Sequence, residues 1–507
     1  MEHETNYPDN RWMILGVMSL SLVIVMLNNV TLNVALPELS KDLKADNSQL
    51  QWIMDSYALV FGGTLLLMGA LGDRFGRKGA LQIGLVIVAC ASVWTALYAE
   101  TSNQVIFARA AMGLGAALVM PSTLSVVLVV FPPEERGKAI GIWAAMAGIG
   151  APIGLLVGGW AVENYDWQMV FLINAPIIIV ALLLGAVLVP RSKDATGKPL
   201  DWFGAFLSVV ALGSLLYGII EGPSLGWGHQ NVLLAFVIFF ITSIAFVQWQ
   251  LKCESPLLPM EFFSQRQYSI GLMAIALAMF VMFSFMFMQM LHFQLVRGLS
   301  PLEAAVRFFP LPLGLMPAAA NSDKFVAKFG RRKVITFGLC LVAAGMMLFA
   351  LVDRSTAYAQ IAVTFTLLGL GMGLTMAPST TAIMEAIPHN KAGVGSATND
   401  ASREIGGALG IAIGGSILNQ IYQSSLVIPE SLMTYKGVLM NSFPSAMRIG
   451  AENGADGALL IASAQDAFVE GMVGSCYITA AVAILAAIIV WTMMPDEQPQ
   501  ETTSSEE

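Results

Sequence analysis

Residues 69–78 read Gly69-Ala70-Leu71-Gly72-Asp73-Arg74-Phe75-Gly76-Arg77-Lys78, and a shorter version, Lys328-Phe329-Gly330-Arg331-Arg332, returns further along the chain. Phe75-Gly76-Arg77 and Phe329-Gly330-Arg331 stand 254 residues apart, about half of the 507-residue length. Each follows one long apolar segment and precedes another. Basic loops between apolar segments are common, so the spacing is weak evidence by itself. A parallel half-chain repeat is nevertheless the mark of transporters whose two halves rock about a central site. Gly69, Gly72 and Gly76 allow close helix approach and a tight turn. Asp73 beside Arg74 and Arg77 suits a latch at the cytoplasmic mouth that breaks on switching. A merely solvated basic loop would explain the arginines but neither Asp73 nor the glycines.

Outward from this loop, Pro, Gly and charge divide the chain into fourteen apolar segments: 12–36, 51–71, 80–98, 105–130, 138–162, 168–189, 202–221, 232–251, 268–293, 304–322, 333–352, 359–384, 396–420 and 466–493. The composition supplies that many. Hydrophobic residues make up 56% and charged residues 12%, against about 25% charged in a soluble domain. At about 20 residues per bilayer crossing, the supply furnishes roughly fourteen spans. Disorder, a coiled coil and an ordinary soluble enzyme are excluded, leaving an all-α polytopic membrane protein. The run from Trp12 to Leu36 is too long for a signal-peptide core and reads as the first permanent span.

Basic residues set the expected orientation. Loops after even-numbered spans, with Arg11, hold 18 Lys and Arg against 6 in the opposite loops, which places both termini in the cytoplasm. The net charge of −8 comes almost entirely from the tails, 1–11 and 496–507, so it implies no acidic or nucleic-acid partner. Cys90, Cys253, Cys340 and Cys476 lie in or beside apolar segments at no metal-ligand spacing and read as packing residues. His229, His292 and His389 show no ligand spacing either. Residues 421–464 form a long external segment of mixed character, either a plain loop or one holding a short amphipathic element.

Several motifs join the 69–78 loop in resembling one family. Leu27-Asn28-Asn29-Val30-Thr31-Leu32-Asn33-Val34-Ala35-Leu36-Pro37 looks like the first-span motif of the fourteen-helix drug:proton antiporters of the major facilitator superfamily. Arg109 with Gly113 and Gly115 matches its span 4 pattern, Phe171-Leu172-Ile173-Asn174-Ala175-Pro176 the start of span 6, and Arg403 with Gly406-Gly407-Ala408-Leu409-Gly410 its span 13. The likeness is dense over spans 1–6 and thinner beyond. Three positions depart from the pattern: Asn28 stands where Asp is usual, Gly154-Leu155 replaces Gly-Pro with Pro152 upstream, and Trp167-Gln168 replaces Trp-Arg. The resemblance implies two six-helix bundles, 12–190 and 267–495, separated by two intervening helices within 191–266. It also implies export of lipophilic, often cationic, compounds in exchange for protons.

A proton-coupled site needs a carboxylate that can protonate and reload inside the membrane. Asp55, in the first turns of span 2, is one candidate; a partner for the helix dipole is the plainer alternative. Asp400 and Glu404 share a face of span 13 at i, i+4, as a coupling pair or as an interfacial salt bridge. Arg109, buried early in span 4, either tunes a carboxylate through its planar fork or snorkels. Glu221 reads as an interfacial cap ending span 7, and Ser300-Pro301-Leu302-Glu303 as a capping box. Asn28, Asn29 and Asn33 offer neutral cavity groups, joined by Gln289 and His292 in a Met- and Phe-rich span whose other residues suit either a pliable cavity or lipid.

No GxxxxGK[ST] loop occurs in the sequence, so the energy source is an ion gradient or the substrate's own. The leading expectation is a monomeric, proton-driven exporter of small lipophilic drugs in the bacterial inner membrane, with no enzymatic activity, cofactor, metal or nucleic-acid partner. The alternative is a metabolite uniporter or importer in which these carboxylates are structural. A static receptor would have no use for the gate-like loop.

Overall fold

The computed structural model describes residues 8–192, 201–387 and 392–495. Residues 1–7 of the N-terminal tail, the acidic C-terminal tail and His389 lie outside these residues, and among the expected site residues the side chains of Asn29 and Asp73 lie outside what is described. Among the described residues there are helices and no strand. In a bilayer this is the solution that satisfies backbone polar groups within one segment.

In chain order these are α1 (Arg11–Val30), α2 (Leu32–Leu43), α3 (Asn47–Phe75), α4 (Arg77–Tyr98), α5 (Ser102–Val130), α6 (Pro133–Asn164), α7 (Met169–Leu172), α8 (Asn174–Leu188), α9 (Trp202–Leu225) and α10 (Gln230–Lys252). There follow α11 (Arg266–Leu291) with a π-helical turn at His292–Val296, α12 (Pro301–Val306), α13 (Pro310–Ala320), α14 (Ser322–Phe329), α15 (Arg331–Phe349), α16 (Tyr358–Glu385) and α17 (Ala392–Ser425). The last are α18 (Lys436–Asn441), α19 (Phe443–Glu452) and α20 (Gly454–Met493).

Eleven helices among the described residues are long and apolar enough to cross a membrane. The other three expected segments also fall on helix: 51–71 on α3, 138–162 on α6, and 304–322 across α12, α13 and α14. The last is broken before Pro310, which lacks the N–H that a continuous helix needs and opens α13, and again at Asn321 between α13 and α14. Local signals start several helices. Asp46 and Gln49 form a capping box on α3, with Gln49 N donating to Asp46 Oδ1 at 2.7 Å, and Thr101 with Gln104 does the same for α5.

Two expectations about length are revised. The first span continues past Leu36 as α2, after a break at Thr31 whose hydroxyl donates back to Leu27 O. Glu221 does not end span 7, because α9 runs one further turn to Leu225. The 421–464 segment, expected to be external, is largely helical. Ser442 caps α19 by accepting from Ser445 N at 3.2 Å, and Phe443, Ala446 and Ile449 are buried along one side of it. Helix α20 has 40 residues, or about 60 Å at 1.5 Å per residue, against a hydrocarbon core of about 30 Å.

The chain divides into two compact units. The first comprises Met1–Leu258, Gln289–Val306 and Leu426–Asp466. Within it α3 and α4 pack on α5, α1 packs on α6 and α8, and the α9–α10 hairpin joins through α9 against α3. Asp201 ties that hairpin together, accepting from Trp249 Nε1 and Gln250 Nε2, each at 2.6 Å. The second comprises Pro259–Met288, Arg307–Ser425 and Ala467–Glu507, with α16 packed against α13 and α15.

The sequence repeat recurs in the packing of each unit. Gly76 joins α3 to α4 at φ +125°, and Gly330 joins α14 to α15 at φ +84°, a region where side chains are strained. In the first unit a Cβ at Gly84 would lie 2.6 Å from Gly115 O; in the second, one at Gly338 would lie 2.8 Å from Gly371 O. Gly84→Val therefore forces α4 off α5 and lowers stability by about 1–3 kcal/mol, the usual cost of overpacking. Gly79→Val, on the same helix with nothing within 4 Å of the added carbon, stays within about 0.5 kcal/mol. Thermal unfolding of the purified protein in detergent distinguishes the two.

Candidate functional site

Arg109 lies fully buried on α5 in the first unit. Its Nε donates to Ile53 O at 3.2 Å and its Nη1 to Asn28 O at 2.9 Å, while the guanidinium carbon sits 4.3 Å from the Tyr57 ring centroid. One side chain thus fastens α1 and α3 to α5, using the planar fork and the cation–π face that lysine lacks. Gly113, one turn further along α5, permits the approach, since a Cβ there would lie 2.5 Å from Tyr57 O. Tyr57 OH in turn reaches Val25 O at 3.4 Å.

The first-span amides are partly committed to this scaffold. Asn28 Nδ2 donates to Ile24 O at 3.0 Å, and its Oδ1 accepts from Asn174 Nδ2 at 3.4 Å. Asn33 Nδ2 donates to Val30 O at 3.1 Å, beside the break at Thr31. Asn174, quoted only as part of a motif, was not singled out from sequence; an amide inside an otherwise apolar run was the available signal.

Asp55 is fully buried on α3, and among the described residues neither of its oxygens has a hydrogen-bond partner. It does not sit on the Arg109 face. Ile53, Tyr57 and Phe61 carry the backbone atoms nearest Arg109 and Gly113, and at 100° per residue Asp55 points roughly opposite to them. Ser56 Oγ beside it is also buried without a partner.

Gln289 and His292 are both fully buried where α11 passes into its π-helical turn. Their side chains meet at 3.3 Å between Gln289 Nε2 and His292 Nδ1, and among the described residues Gln289 Oε1 has no hydrogen-bond partner. The same turn is held to α2 by Gln294 Nε2, which donates to Val34 O at 2.8 Å. π-turns inside long helices recur at functional sites.

Asp400 and Glu404 belong to the second unit, on α17. Asp400 Oδ1 accepts from Asn399 Nδ2 at 3.3 Å, Asn399 Oδ1 accepts from Thr380 Oγ1 at 3.1 Å, and Glu404 is buried. Below them Gly406 and Gly410 bring α17 against the backbone of α11 at Ala276 and Phe280. At the basic loop, Gly69 and Gly72 face Pro121 and Ser122 of α5, and Arg77 N donates to Ser192 O at 3.0 Å. Arg74 is exposed, its guanidinium 5.6 Å from the Phe75 ring.

The sequence from residue 18 to residue 411 matches the profile of the Major Facilitator Superfamily. The chain belongs to that superfamily. The family resemblance and the all-α major facilitator fold expected from sequence are both borne out. Among sequence relatives, this transporter is 31% identical to the multidrug efflux pump LfrA of Mycolicibacterium smegmatis, covering 96% of this chain and 97% of LfrA. It is 33% identical to the methyl viologen resistance protein SmvA of Salmonella typhimurium, covering 83% and 85%. Among solved structures, an inward-facing bacterial homologue of the human lysosomal transporter Spinster aligns with TM-score 0.69 at 18% identity, over 97% of this chain and 99% of that one. A D-xylose–proton symporter aligns with TM-score 0.61 at 15% identity, over 96% and 98%. These structures share the fold.

In this superfamily member Arg109→Lys keeps the charge but cannot serve both carbonyls and cover Tyr57. The expected loss is about 1.5–3 kcal/mol for each charge-assisted bond broken, read as a lower unfolding temperature in detergent. Unchanged unfolding would mean that α1 and α3 are held to α5 by other contacts.

Proposed function

We propose that the chain exports lipophilic drugs from the bacterial cytoplasm in exchange for protons, with both termini in the cytoplasm. The efflux and resistance names of its relatives support the drug-export part. The charge asymmetry of its loops supports the orientation. Proton coupling rests above all on Asp55, a fully buried carboxylate whose two oxygens have no hydrogen-bond partner among the described residues. An ionised carboxylate in such a place costs several kcal/mol that no donor offsets. Taking up a proton removes the charge and releasing it restores the cost, which is the cycle a coupled carrier needs.

The remaining residues take supporting roles. Arg109 holds the helix that carries Asp55, while Asp400 and Glu404 form a second carboxylate group in the other unit. Asn33, Gln289 and His292 supply neutral polar groups, suited to substrates bound largely by apolar contact. Asp73, Arg74 and Arg77 with Gly69, Gly72 and Gly76 serve the cytoplasmic gate. The transporter works as a monomer.

Purified protein in liposomes, with an imposed pH gradient and ethidium plus a neutral lipophilic drug as probes, tests this reading. Substrate should move against the proton flow, and an uncoupler should stop it. Asp55→Asn should cut gradient-driven transport by at least about tenfold while membrane insertion stays normal. Wild-type movement that ignores the gradient would instead favour a facilitator, and full transport by the variant would remove Asp55 from the mechanism. Asn28→Asp places an anion beside Asn174 and should raise the ratio of ethidium to neutral-drug transport; an unchanged ratio would mean that Asn28 acts only in packing.

A further inference from the structure

The α9–α10 hairpin lies outside the two six-helix bundles, and the way α9 meets α3 gives it a role. Helix α9 runs antiparallel to α3 with contacts one turn apart. Glu221 Oε1 accepts from Ser48 Oγ at 2.9 Å and from Trp52 Nε1 at 3.2 Å. The Tyr217 ring lies 6.5 Å from Trp52, a Cβ at Gly213 would sit 3.8 Å from Leu59 Cδ2, and one at Gly63 would sit 3.1 Å from Val209 Cγ2. On α3 these partners are Ser48, Trp52, Leu59 and Gly63, a single stripe at helical spacing. Asp55 falls in that stripe, one turn inward of Trp52, with the unpartnered Ser56 hydroxyl beside it.

Charge along this interface is sparse. Glu221 is the one charged residue in Trp202–Leu225, and Asp55 the one charged residue between Asn47 and Phe61. Titratable groups at this end include Asp46, at the N-cap of α3, Asp42 and Lys44 just before it, Tyr217 one turn from Glu221 on α9, and His229 at the N-cap of α10. Burial, together with the charge of Glu221, holds the Asp46 carboxyl above the ordinary range, while the Gln49 backbone N–H opposes the shift. Two carboxylates therefore share the outer mouth, a cluster that concentrates protons there.

We propose that Glu221 is the external proton acceptor that loads Asp55, so that the α3–α9 interface is the outer proton route of the transporter. This rests on the proton-coupled reading above. Glu221 takes a proton from external water and passes it inward through water and the Ser56 hydroxyl. It is left as the carboxylate, and Asp55 becomes the neutral acid. The Trp52 indole donates only and cannot relay a proton, so it holds Glu221 in place. Glu221 is a positioning and relay residue, whereas Asp55 carries the exchanged proton.

Glu221→Gln tests this, because the amide oxygen can still accept from Ser48 and Trp52 and keep α9 docked. Gradient-driven drug transport in liposomes is followed as the pH on the face that corresponds to the cell exterior is varied. Compared with wild type, the variant should lose about three- to tenfold in rate near neutral external pH and recover as that side is acidified, when Asp55 loads directly from water. A parallel fall at every pH would make Glu221 a clamp alone, and an unshifted profile with full rates would exclude it from the route; either overturns the proposal. Trp52→Phe separates docking from relay: it removes the indole donor and should lower thermal stability, with a smaller displacement of the pH profile than Glu221→Gln. A wild-type protein indifferent to the gradient would overturn both readings. A coupled wild type, an inactive Asp55→Asn and an unshifted Glu221→Gln would overturn this one alone.

Discussion

Every peptide group in a membrane interior needs a partner within the protein, and the architecture follows from how that demand is met. Regular helix meets it over most of the chain. Where the chain leaves regular helix, a side chain reaches in to a backbone oxygen. Near the break at Thr31, Arg109 donates to Asn28 O and Gln294 to Val34 O. The carbonyl of Leu295, in the π-helical turn, receives Gln465, and that of Ala45 receives Ser442 from the 421–464 segment. Irregular backbone is stable here because polar side chains are aimed at it, and these are the places where the chain can bend.

Helix α3 joins two chemistries that its sequence interleaves. Ile53, Tyr57 and Phe61 present backbone and ring to the Arg109 side, where the guanidinium holds a carbonyl and lies over the Tyr57 ring. Ser48, Trp52 and Leu59 meet α9 on the other side, and Asp55 shares their helical stripe. A buried cation and a buried anion on neighbouring helices invite pairing as an ion pair, yet helical phase sets them apart. Arg109 spends its fork on carbonyls, and Asp55 keeps its oxygens for another ligand.

The segment pattern was legible in the sequence because hydropathy and positive charge report directly on the membrane. All fourteen segments fall on helix, and the half-chain repeat reappears as matched glycine contacts. Legibility stopped where partners come from distant parts of the chain. Asp55 stood out as a carboxylate in an apolar run, but its helical neighbours Trp52 and Leu59 are met by α9, about 150 residues away. The acceptors of Arg109 are backbone oxygens, which leave no mark in a side-chain pattern. Glu221 looked like a helix end because Gly222-Pro223 follows it, whereas α9 continues and its carboxylate points back to α3. The 421–464 segment hid its helices because they are short and their apolar faces are completed by another part of the chain.

The shared glycine register has one more consequence. Counting by it, Gly113 against Tyr57 corresponds to Gly369 against Leu311, and the places of Arg109 and Asp55 fall on Phe365 and Phe309. Phe365 is fully buried, stacked edge-on to Phe285 at 5.1 Å and close to Phe308 at 5.2 Å. One duplicated frame has therefore been filled with ions in one copy and with aromatic rings in the other. Such copies are no longer spares for each other: damage at residue 109 cannot be made good by its twin, and each half holds a chemistry that the other has given up.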